Sequence, residues 1–286
     1  DANGNQITKA AEGKTETNTY DGLNQLIGFN DGETTASYKY NASGLRYEKT
    51  VDGQTINHVW DGSKQIVADI IDGQFYEADC YIRGTNLVAK YNYRNGNKSE
   101  YTYYTQNAHG DVVNLTDSTG AVTKTYKYDA FGVEKNIDDS DTNAFRYCGE
   151  YFDKETATVY LRARYYDPST GRFTQRDSLA GNITDPLSLN LYTYCANNPV
   201  FFCDPSGHFV VEAALATTAA AAMTWLAASA IESSRSKTQS STSNKIVNAF
   251  SIAAITIISP IKPILTYGAK APENTLPDGL ASNFYT

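Results

Sequence analysis

Four cysteines (Cys80, Cys148, Cys195 and Cys203) and three histidines (His58, His109 and His208) are the residues by which this 286-residue chain could bind a transition metal or raise a thiolate. A structural zinc site needs four nitrogen or sulfur ligands, commonly from closely spaced cysteine pairs. No Cys-x-x-Cys pair occurs, so the expectation is free, mostly buried cysteine, with no metal and no cofactor. Cys195 and Cys203 flank a turn and could approach each other. Carboxylates are the other chemical resource. Beyond His208 they thin out to Glu212, Glu232, Glu273 and Asp278, with no His or Cys among them. No nuclease, transferase or protease cluster is visible there.

The elements that must position such residues are strands. Hydrophobic residues make up 41% of the chain and aromatics 12%, with 22 Tyr against 11 Phe and 2 Trp. A Tyr excess suits pleated, half-buried surfaces, and each hydroxyl asks for a partner. The net charge of −8 argues against nucleic acid as partner, since phosphate binding needs clustered Lys and Arg. The chain opens on a polar turn, Asp1 to Asn5, and its single methionine is Met223. We therefore expect a piece of a longer protein.

A unit of about twenty residues recurs. Tyr20-Asp21-Gly22-Leu23-Asn24, Tyr40-Asn41-Ala42-Ser43-Gly44 and Trp60-Asp61-Gly62-Ser63-Lys64 start three successive copies. Looser ones follow at His109-Gly110-Asp111, Tyr128-Asp129-Ala130-Phe131-Gly132 and Tyr166-Asp167-Pro168-Ser169-Thr170-Gly171. Asp or Asn bonds its own backbone and Gly accepts positive φ, so each stretch is a turn. Between turns the residues alternate: Ala36, Tyr38 and Tyr40 fall on one face, Ser37 and Lys39 on the other. The pattern predicts an antiparallel meander that manages its edges by curling into a shell or spiral.

After Arg146 the sequence resembles a known family. The motifs are Arg146-Tyr147-Cys148-Gly149-Glu150-Tyr151-Phe152-Asp153, Tyr160-Leu161-Arg162-Ala163-Arg164-Tyr165-Tyr166-Asp167-Pro168 and Gly171-Arg172-Phe173-Thr174-Gln175-Arg176-Asp177. They continue through Asn190-Leu191-Tyr192-Thr193-Tyr194 and Asn197-Asn198-Pro199 to Asp204-Pro205-Ser206-Gly207-His208. This order resembles the core of the Rhs/YD-repeat (teneurin-like) shells, and the wording from Asp185 to Leu191 resembles their Gram-positive wall-associated branch. The resemblance implies a mainly β fold: a meander over 1–145 curling as part of a β-shell, a repeat-associated core over 146–208, and a variable segment over 209–286. It further implies a polymorphic-toxin-type shell that encapsulates and delivers that segment as its cargo, with an immunity protein as partner. A shell of this kind needs many repeats, and this stretch by itself is short for closing one.

In autoprocessing members of the family an Arg-Asp pair and an Asp-Pro-x-Gly motif form an aspartyl protease that cuts just after the second motif. The matching positions are Arg176, Asp177 and Asp204, with the cut between His208 and Phe209. Two carboxylates held close cannot both ionise, so one can activate water while the other donates a proton. An adjacent arginine fixes one of them. The sequence departs from the pattern in three places. Asp177 precedes Ser178 rather than Pro, residues 182–186 are inserted, and His208 stands where Leu is usual. Asp185-Pro186 offers a rival partner, and turn capping is the structural alternative for Asp177 and Asp204.

Composition changes after His208. Residues 213–231 and 246–261 are apolar and uncharged, joined by a polar linker. Ala-rich sequence favours helix, giving a helical hairpin whose first arm is long enough to span a membrane. Packing inside a shell fits equally. The expected location is secreted, at the cell surface or wall, or at a membrane through residues 213–261. The competing functions are a non-enzymatic adhesive or sugar-binding repeat protein and a membrane-anchored displayed β-domain.

Overall fold

The structure, a computed structural model, describes residues 1–212 apart from 12, 182, 185 and 209. The expected helical hairpin and the two apolar stretches lie outside the described residues. Among the described residues no helix is long and apolar enough to cross a membrane.

Thirteen antiparallel strands form one sheet: β1 (Thr8–Ala11), β2 (Lys14–Tyr20), β3 (Leu26–Asn30), β4 (Thr35–Tyr40), β5 (Arg46–Val51), β6 (Gln54–Trp60), β7 (Ile66–Ile71), β8 (Ala78–Arg83), β9 (Leu87–Arg94), β10 (Asn97–Lys98), β11 (Thr102–Gln106), β12 (Val112–Thr116) and β13 (Val122–Thr125). Neighbours in sequence are neighbours in the sheet, except that β10 pairs only with β9 and β11 returns to β9. This is the meander that the repeat predicts, and it continues through 70–106, where the repeat signature fades.

The turn that joins these strands has one construction. Oδ1 of Asp21 accepts the amides of Leu23 and Gln25, both at 2.9 Å. Asn41 does the same for Ser43 and Leu45, and Asp61 for Ser63 and Gln65. Asn107, Asp117 and Asp129 repeat the lock further along. The residue three places after each lock is left-handed, as at Asn24 and Gly44. At the strand ends beside several of these turns the register slips by one, as at Tyr20, Tyr40 and Trp60. Such bulges add twist and curl the sheet. They also disturb the ladder, and the next repeat's aromatic compensates. Tyr40 Oη donates to the Leu26 carbonyl at 2.7 Å and Trp60 Nε1 to the Arg46 carbonyl at 2.7 Å.

A second sheet of four strands, β14 (Tyr151–Asp153), β15 (Thr158–Leu161), β16 (Arg164–Asp167) and β17 (Arg172–Phe173), packs on the inward face of the meander. Tyr38 meets Tyr165 and Trp60 meets Tyr160 with ring centroids 6.0 and 6.3 Å apart, and Tyr81 meets Phe145, which bridges to Tyr151, at 4.7 Å. Offset and edge contacts of this kind add to area burial. The interior is also charged. Arg46, fully buried, donates to both oxygens of Asp153 at 2.5 and 2.9 Å, and Lys49 reaches Asp153 at 2.9 Å. Last comes a short hairpin, β18 (Phe202–Cys203) against β19 (Val211–Glu212). Its loop contains the Asp204 motif and the expected cut.

Candidate functional site

The segment Asp204-Pro205-Ser206-Gly207-His208 folds as one more copy of the repeat turn. Asp204 Oδ1 accepts the amides of Ser206, Gly207 and His208 at 3.1, 2.9 and 3.2 Å, and the Ser206 hydroxyl at 3.0 Å. Gly207 takes the left-handed position with φ +76°. A Cβ there would stand 2.5 Å from the Leu161 carbonyl oxygen, so glycine is required by both conformation and space.

Arg164, at the start of β16, is the residue that brings the two aspartates together. Its Nη2 lies 2.7 Å from Asp177 Oδ2 and 3.9 Å from Asp204 Oδ2. Because both contacts share one nitrogen, those oxygens are no farther apart than the two lengths combined. Arg164 also donates through Nε to the Gly207 carbonyl and through Nη1 to the Leu191 carbonyl at 3.0 Å. Its guanidinium rests 3.6 Å from the centre of the Phe173 ring. A buried guanidinium with this many acceptors is held in one orientation.

His208 Nδ1 stands 2.8 Å from Asp177 Oδ1, which also accepts the Leu179 amide at 2.9 Å. Arg176, the arginine expected beside Asp177, is exposed and makes no ion pair among the described residues. It lines a cavity of about 460 Å³ together with Arg164, Tyr165, Ser206 and His208. Phe209 and the rival Asp185 lie outside the described residues. Thus Asp177, Asp204 and His208 converge, and Arg164 rather than Arg176 faces both carboxylates. In the sequence Arg164 stands inside a family motif with no role assigned to it. The available signal was an arginine opening a strand whose next residues are Tyr165 and Tyr166, where a buried charge must find a partner.

The two carboxyls are pushed in opposite directions. For Asp177 burial acts upward, but the His208 hydrogen bond, the Leu179 amide and Arg164 outweigh it and hold the group below the usual carboxylate range. For Asp204 burial prevails over the Ser206 hydrogen bonds and Arg164, leaving it above that range. A lowered and a raised acid sharing one guanidinium suit one base and one acid.

A second cluster gathers His109, Asp111 and Cys148, whose ligating atoms all lie within 4.8 Å of one another. The three are engaged with each other by hydrogen bonds. Asp111 Oδ1 lies 2.9 Å from His109 Nδ1 and accepts the Cys148 amide at 2.9 Å. Burial pushes the Cys148 thiol well up, which keeps it neutral. His109 Nδ1 lies 2.9 Å from Asp111 Oδ1 and 3.8 Å from Cys148 Sγ, so Asp111 holds the shorter contact. All four cysteines are free.

Residues 93–200 match the family described as Teneurin YD-shell. The tRNA(Glu)-specific nuclease WapA of Bacillus subtilis subsp. natto is 38% identical over 216 residues, 73% of this chain and 9% of the relative. The toxin protein Tse5 of Pseudomonas aeruginosa is 38% identical over 66 residues, 22% of this chain and 4% of its own. The crystal structure of TcdB2-TccC3 superposes with a TM-score of 0.55 at 22% identity, covering 72% of this chain and 11% of that one. At that identity the likeness concerns the fold alone. The chain spans less than a tenth of the length of the WapA proteins it matches. The Tyr-Asp turn lock, the curled meander and these matches agree: the chain belongs to the Rhs/YD-shell family.

Proposed function

We propose that this chain is the closing part of a toxin-encapsulating β-shell of the polymorphic-toxin type, and that it cuts itself between His208 and Phe209. The convergence of Asp177 and Asp204 on Arg164, with their carboxyls pushed apart, carries the reading. Asp177, as carboxylate, takes a proton from water. The water oxygen then bonds to the His208 carbonyl carbon. Asp204, as the protonated acid, donates to the Phe209 nitrogen as the C–N bond breaks. The products are a carboxylate at His208 and an amine at Phe209. Arg164 keeps the carboxylates near each other without direct repulsion and holds the Gly207 carbonyl, one residue before the bond.

On this reading the residues after 208 are a released cargo, an immunity protein guards the producing cell, and the whole protein acts outside the cell in which it is made. Membership of the wall-associated branch and an association of residues 213–261 with a membrane are further parts of the proposal. The intact mass of the purified chain, beside Asp177→Asn and Asp204→Asn, tests the chemistry. We expect two fragments divided after His208 in the parent and one uncut chain in both variants. An uncut parent would refute it.

One observation favours a second reading. Asp204 Oδ1 is held by the same amides that every repeat turn supplies, so a turn cap accounts for the residue without chemistry. Under that reading the shell is structural or adhesive, and all three masses are the same.

A further inference from the structure

We infer that His109, as an imidazolium, is a positioning residue that clamps the junction hairpin to the shell and releases it as pH rises. The inference rests on the reading of residues 204–209 as a processed junction. Its geometry is independent of the cut. His109 Nε2 lies 3.1 Å from the Phe202 carbonyl oxygen and Nδ1 lies 2.9 Å from Asp111 Oδ1. Both partners are acceptors only. An imidazole can satisfy two acceptors at once only when both nitrogens carry protons.

The anchor side is rigid. His109 sits inside a repeat turn in which Asn107 Oδ1 accepts the amides of His109 and Asp111, and Asn107 Nδ2 donates to Asp111 Oδ2 at 2.8 Å. Asp111 in turn holds the Cys148 amide. The held side is the strand that delivers the candidate acid: Phe202 opens β18, two residues before Asp204, and pairs with Glu212 across the expected cut. Among the described residues, no other side-chain hydrogen bond reaches the backbone of β18.

The groups facing the ring are few. Asp111 comes from its own turn. Tyr147, with its ring centroid 5.4 Å away, and Cys148, with Sγ 3.8 Å from Nδ1, come from the segment before β14. The Phe202 and Pro199 carbonyls come from the junction side. Tyr147 and Cys148 are neutral in the relevant range, since burial raises both. Only Asp111 supplies charge. Burial alone would lower the His109 value, but Asp111 and the two carbonyls outweigh it and raise it. A group raised on folding stabilises below its unfolded value, and that stabilisation is lost as pH climbs through the folded value. The clamp therefore holds below the raised value of His109 and lets go as pH climbs through it.

The test uses the full chain carrying Asp177→Asn, which keeps the junction uncut, with and without His109→Gln. Amide hydrogen exchange of β18 and β19, corrected for intrinsic rates, is followed from pH 5.5 to 8.5. With His109 present, we expect protection to fall about tenfold across that range, the scale of one charge-assisted hydrogen bond. With glutamine, protection should be low and flat. Equal protection in both chains would overturn the clamp. Nitrogen NMR of the His109 ring gives a second measure that needs no variant at that position: both nitrogens protonated at pH 6.5 supports it, a neutral ring there refutes it. If the clamp behaves so but the parent chain is never cut, the protease reading falls alone. If the parent is cut and protection ignores His109, the clamp falls alone.

Discussion

Replacing Asp153 by Asn tests how the meander is fastened to the sheet inside it. Arg46 and Lys49 reach inward from β5, and Asp153 answers from β14 with Glu155 beside it. The four charges balance. Asparagine would leave two buried cations against one carboxylate, Glu155, and would remove the bidentate partner of a fully buried arginine. Burial alone would push the Asp153 carboxyl up. Arg46 and Lys49 outweigh this and hold it at about 2. That displacement alone corresponds to roughly 2–3 kcal/mol. Stranding the cations adds to it, so the total should reach about 3–5 kcal/mol, the usual cost of breaking a buried pair. Trp60 reports on the same place, since its indole donates to the Arg46 carbonyl and its ring meets Tyr160. Urea unfolding followed by Trp fluorescence should show the midpoint falling with the slope unchanged. The sign with pH is fixed as well. A carboxyl lowered on folding stabilises above its unfolded value, about 4, and the benefit is lost as pH falls through about 2. Parent and variant should therefore converge in acid. A loss under about 1 kcal/mol at neutral pH, or a gap that persists at pH 2, would refute the account of this interior.

Arg164→Lys should slow the cut at least about 100-fold in a mass-spectrometric time course, because an ammonium cannot engage Asp177, Gly207 and Leu191 at once. An unchanged rate would remove Arg164 from the site. Gly207→Ala should abolish the cut and cost about 1–3 kcal/mol by thermal unfolding, given the left-handed φ and the Leu161 carbonyl in the way. The rate should rise as Asp177 ionises below the usual carboxylate range and fall as Asp204 loses its proton above it. A profile still climbing at pH 8 would contradict that division of roles. Tyr40→Phe removes hydroxyl bonds to Leu26 and Tyr165 and should cost about 1–3 kcal/mol in the same unfolding assay.

Strands, turns and family could be read along the chain because they are local. Asp21, Asn41 and Asp61 each lock amides two and four residues on, and the alternation of Ala36, Tyr38 and Tyr40 is written in consecutive residues. The convergence of Asp177 with the Asp204 turn was legible only through family resemblance. For the arginine between them the sequence offered only the hint of a charge opening a Tyr-rich strand, with nothing to name its partners. Arg164 and Arg176 are the same residue type at neighbouring motif positions, and only the fold of β16 under the junction turn selects Arg164. His109 also hid. A histidine in a repeat turn looks like a turn residue, and its bond to Phe202 spans 93 positions. Turn chemistry needs only near neighbours, so sequence determined it. Which charges meet in a buried interior depends on how two sheets pack, and tertiary structure alone decided that.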